Sequence, residues 1–111
     1  MTMDDGANQL DVPASFTALF TAPGGHRLTA PVAVVRERYE LCEDLAQMLT
    51  AQAAERLDAA GANQDEVLRT MEQALAVEGS PVSPAEAQWV VRRLAELMDW
   101  PAPGDAGALK P

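Results

Sequence analysis

A chain of 111 residues with a net charge of −9 has room for one modest core and little for a deep enzyme cleft. The negative balance is spread along much of the chain, and Lys110 is the only lysine. That argues against free nucleic acid as a ligand, because phosphate binding needs a basic stripe, and favours a basic protein partner or plain solubility.

Residues 1 to 12 read as a disordered tail. The stretch SFTALF (15–20) then holds both phenylalanines of the chain. Ser15 is a plausible N-cap, and Phe16, Leu19 and Phe20 fall at i, i+3, i+4 on one face of a two-turn helix. APGG (22–25) stops it, and His26 to Ala30 is a loop. A long helix is expected from about Pro31 to Ala60, since proline suits a first helical turn and Gly61 suits the left-handed position after the end. Its apolar stripe reads as Val34, Leu41, Cys42, Leu45, Met48 and Leu49. A third helix, about Gln64 to Glu78, is capped by Asn63 with Asp65 and Glu66 in its first turn, and Gly79 ends it. The last helix starts at SPAE, with Ser83 as N-cap, Pro84 at the first position and Glu86 completing a capping box; it runs to about Asp99. The remainder reads as a second tail. Alanine makes up about a fifth of the chain and isoleucine is absent, which also favours helix.

The expected fold is therefore all-α: one long helix, two shorter ones and a short N-terminal helix in a single domain over 13–100, with tails at 1–12 and 101–111. At 1.5 Å per residue the long helix reaches about 45 Å and each short one about 24 Å. Short turns fold the two shorter helices onto the C-terminal half of the long one. Its N-terminal half, with Val34, Leu41 and Cys42, is left for SFTALF, a second copy or a foreign partner.

Several groups are candidates for contact with a partner. Phe16, Leu19 and Phe20 are either a packed lid or a helix-in-groove docking motif. Glu37, Glu40 and Asp44 form an acidic flank on the long helix, with Glu43 nearby; it is either a solvated face or a surface for a basic partner. Arg38 projects into the apolar stripe and must find a carboxylate or a wet edge. On the last helix Val90, Leu94, Leu97 and Met98 read as the core face. Trp89, Arg93, Glu96 and Trp100 lie opposite, with Arg92 beside them, and these are hot-spot residue types. The structural alternative places Trp89 against the same chain and pairs Arg92 and Arg93 with Glu96 or the acidic flank. Cys42, the only cysteine, reads as inert core, and no intrachain disulfide is possible.

The one His and the missing calcium-loop spacing offer no catalytic or metal site. No phosphate-binding loop or dinucleotide fingerprint is present, and no cofactor is expected. No secretion signal or 18-residue apolar run is seen, so a cytoplasmic protein is expected.

The runs RYELCEDLAQ (38–47), EAQWVVRRLAELMDW (86–100) and VPASFTALF (12–20) resemble a family of short bacterial helical proteins often labelled "ATPase with chaperone activity", over about residues 12 to 100. The resemblance implies partners in chaperoning or protein quality control. Its ATPase half finds no counterpart in these residues, since a phosphate site needs backbone amides and a lysine, and the only lysine lies in the C-terminal tail. The expected function is a non-catalytic interaction module that binds another protein or a second copy of itself, without direct nucleic-acid or membrane contact. The alternatives are an acidic inhibitor of a basic, nucleic-acid-binding site and the labelled ATPase.

Overall fold

The computed structural model describes residues 12–25, 27–60 and 63–101. In chain order they form a short helix α1 (Ala14–Thr17) that tightens into a 3-10 turn (Ala18–Phe20), a long helix α2 (Val32–Ala60), and two shorter helices, α3 (Gln64–Leu75) and α4 (Pro84–Met98). The fold is all-α, with the element order read from the sequence. Among the described residues there is no strand, and one isolated antiparallel bridge joins Thr21 to Leu28. The expected tails lie outside the described residues except for Val12 and Pro101, as do His26 and Gly61. The chain divides into two compact parts, residues 1–41 and 42–111, and α2 contributes to both.

In the first part, α1 does not begin from a serine cap. Pro13 precedes it with φ −59° and ψ 148°, and the Pro13 carbonyl accepts from the amides of Phe16 and Thr17, each at 3.0 Å. Proline locks φ and keeps a free carbonyl, so the helix starts two residues earlier than a Ser15 cap would start it. Two backbone bonds tie the following loop. The Ala22 amide donates to the Arg27 carbonyl and the Thr29 amide to the Phe20 carbonyl, both at 2.7 Å. Gly24 and Gly25 take φ of 104° and 81°, a region costly for any residue with a Cβ. With the loop closed, Phe16 is completely buried. Its ring centroid lies 5.5 Å from Phe20 and 5.7 Å from Tyr39 of α2, the latter edge-on at 65°. Such pairs add about 0.5–1.5 kcal/mol to the gain from burial itself.

The second part is a three-helix packing around Ala53 of α2, Val67, Leu68 and Met71 of α3, and Val91, Leu94 and Ala95 of α4. Leu49, Leu57, Leu75, Met98 and Trp100 close its edges. Both short helices start with reciprocal caps. Asn63 accepts from the Glu66 amide at 2.8 Å, and Ser83 accepts from the Glu86 amide at 3.1 Å while Glu86 accepts from the Ser83 amide at 2.9 Å. The end of α3 differs from expectation: it stops at Leu75 instead of Glu78. Leu75 is the last side chain of that stripe to reach the core, whereas Val77 is 58% exposed, and Ser80 to Val77 closes a separate turn with Gly79 at φ 89°. The buried face of α4 also differs from the expected Val90, Leu94, Leu97 and Met98: the last two are half-buried, and Glu86, Ala87, Trp89, Val91 and Ala95 are buried with Val90 and Leu94.

The largest departure is the side that α2 turns inward. The expected stripe holds at Cys42, which is buried, and at Leu45 and Leu49, which are half-buried, but it also took the bulky residues Val34, Leu41 and Met48. These are 38%, 37% and 73% exposed. The line turned inward is Val35, Cys42, Ala46 and Ala53, all fully buried, with Tyr39 and Leu49 half-buried between them. Both lines repeat at intervals of three and four, so periodicity cannot choose between them. Small side chains let a neighbouring helix approach closely, and interaxial distance follows the size of the contact residues. Alanine serves here as core.

Candidate protein-binding face

The outward side of α2 carries an ordered series. Val34, Glu37, Leu41, Asp44 and Met48 are spaced by three, four, three and four residues, and all five are exposed. That spacing sets them along one face of a helix, with apolar and acidic rungs alternating. Residues seven apart drift by only about 20° around the axis. Glu40 is also exposed and lies further round on the acidic edge. Glu37, Glu40 and Asp44 make none of the ion pairs or side-chain hydrogen bonds found among the described residues. Each close pair of like charges costs a few tenths of a kcal/mol that a cation would relieve.

The neighbouring Glu43 is different. It sits at the edge of the inward side and accepts from Arg93 Nε at 2.8 Å, from Arg93 Nη2 at 3.0 Å and from Gln47 Nε2 at 2.8 Å. The bidentate bond from Arg93 holds the Glu43 carboxyl below its ordinary range, against the opposing effect of partial burial. Arg93 also donates to Glu96 at 2.9 Å, and the two carboxylates, Glu43 foremost, push its guanidinium further above its usual value. Arg93 is thus a clasp between α4 and α2, with its side chain 32% exposed.

The other residues singled out from the sequence are placed as follows. Phe16 and Trp89 are buried, and Leu19 and Phe20 are half-buried. Arg38 is half-buried and Arg92 exposed, and both interact with other groups. Glu40 and Asp44 are in solvent beside the apolar rungs. The structure therefore gathers Glu40 and Asp44 on the α2 face, with Arg38 on its other edge, and leaves Phe16, Trp89 and Arg93 committed to internal contacts. Glu37 is exposed, as read with the acidic flank, whereas Val34, Leu41 and Met48 as surface groups were missed. The alternating series was visible in the sequence, but its bulky members read as core.

Two shallow grooves occur elsewhere. One of about 660 Å³ runs between α2 and α3, lined by Arg56, Arg69, Thr70 and Gln73. There Arg69 is already paired with Asp65 at 2.7 Å. The other, about 610 Å³, is lined by small residues of α1 and the loop, among them Ala14, Ala18 and Ala22. Among the described residues no group of three or more His, Cys, Asp or Glu is placed to hold a metal ion, and no helix is long and apolar enough to cross a membrane. No family model matches the chain, and no curated protein or solved structure matches it either.

Proposed function

We propose that the protein is a non-catalytic interaction module of the cytoplasm, acting by contact through the outward face of α2. The observation that carries this is the exposure of Val34, Leu41 and Met48 in register with carboxylates that make no ion pair among the described residues. A fold that can bury alanines in its core has no packing need for a 73% exposed methionine one turn from Asp44. The resemblance to bacterial proteins labelled as chaperones directs the search for a partner toward protein quality control. These exposed carboxylates also favour a second reading, an acidic inhibitor seated on a basic, nucleic-acid-binding surface. That reading calls for binding that collapses with salt and tolerates loss of Met48.

The test is capture from the cells that produce the chain, with wild type and Met48→Asp compared at equal helicity and the bound proteins identified. A protein retained by the first and lost by the second is expected. Identical sets from both would refute the interaction face.

A further inference from the structure

Resting on that reading, we infer that the occupant of the α2 face is a cationic amphipathic helix whose basic residues interleave with Glu37 and Asp44. The face supplies both halves of the argument. Val34, Leu41 and Met48 offer apolar rungs, and Glu37 and Asp44 stand between them, with Glu40 on the flank. From 34 to 48 the series spans about 21 Å, so a partner helix of four turns covers it. A helix laid along it places a long cationic stem on each apolar rung and its charged head beside a carboxylate, the arrangement that flanks coiled-coil seams. On α2 itself Arg38 borders the strip, and it already engages another group.

Other occupants fit less well. A second copy would bring the same carboxylates face to face, on chains that each carry −9. An anionic membrane surface would repel the acidic rungs. Two heptads of contact make a small interface, so the complex should be weak and transient.

Two fluorescent peptides of about 18 residues test this by anisotropy. Both carry leucine at the apolar rungs; one has arginine and the other glutamate at the intervening positions. The arginine peptide is expected to bind wild type and the glutamate peptide not to. Glu37→Lys/Asp44→Lys should weaken the arginine peptide at least tenfold and admit the glutamate peptide. Met48→Asp should weaken the arginine peptide too. Glu72→Lys/Glu78→Lys, an equal change of charge elsewhere on the surface, should leave its binding within twofold. The proposal is overturned if neither peptide binds, if both bind alike, if the two charge variants behave the same, or if sedimentation shows self-association that Met48→Asp abolishes. A protein captured in a Met48-dependent way through a segment that is not a basic helix would overturn this proposal alone. The absence of any Met48-dependent protein would overturn the interaction reading itself.

Discussion

At the scale of single residues, two side chains that looked available for a partner are committed to the fold. Arg93 is held by Glu43 and Glu96, and only a third of its side chain meets water. A pair this sheltered lies between exposed pairs, worth under 1 kcal/mol, and buried ones, whose breakage costs 3–5. After discounting for solvent screening, Arg93→Met is expected to cost about 1–2 kcal/mol in urea denaturation. The pH dependence follows from the direction of the Glu43 shift. Its carboxyl is lowered from an ordinary value of 4.5, so its contribution is complete above that value and is lost as pH falls through the depressed one. The stability gap between wild type and Glu43→Gln should therefore shrink below about pH 4 and stay constant above about pH 6. Phe16 is the second case. Removing a fully buried phenylalanine typically costs about 3–5 kcal/mol, so Phe16→Ala should raise hydrogen exchange across residues 14–41. Unchanged exchange there would mean that the ring is not holding α1 against Tyr39.

At the scale of elements, what was legible depended on how local the signal was. The starts of α3 and α4 rest on side chain to backbone bonds three residues apart, so Asn63, Ser83, Pro84 and Glu86 marked them directly. Ser83→Ala should accordingly cost about 1 kcal/mol and Ser83→Gly only a few tenths, a contrast that urea titration resolves. The end of α3 was less legible, since Gly79 signals a left-handed turn without saying how far back the helix stopped. The start of α1 was misread because a proline carbonyl competed with a serine cap. The facing of α2 was legible only in part: Cys42, Leu45 and Leu49 were read on the inward side correctly, Val34, Leu41 and Met48 wrongly. Its two candidate lines share one period, and the choice between Val35–Cys42–Ala46–Ala53 and Val34–Leu41–Met48 is made by how closely other elements approach. The same error hid the candidate face: residues assigned to the core cannot also be read as surface.

At the scale of the whole molecule, charge and exposure act together. A net charge of −9 adds repulsion between copies and, on the proposed reading, attraction for a basic partner at long range, both of which weaken with salt. Apolar rungs among carboxylates then give such an encounter something to retain. Because Met48 points into solvent, replacing it should leave stability within about 0.5 kcal/mol while removing binding, the reverse of Phe16. The most direct measurement is site-specific photo-crosslinking in the cells that produce the chain, with the reactive side chain placed in turn at positions 48, 16 and 69. A crosslink to another protein from 48, and none from 16 or 69, is the expected result. Crosslinks from 16 or 69 with none from 48 would contradict the assignment of the outward side of α2 as the contact surface.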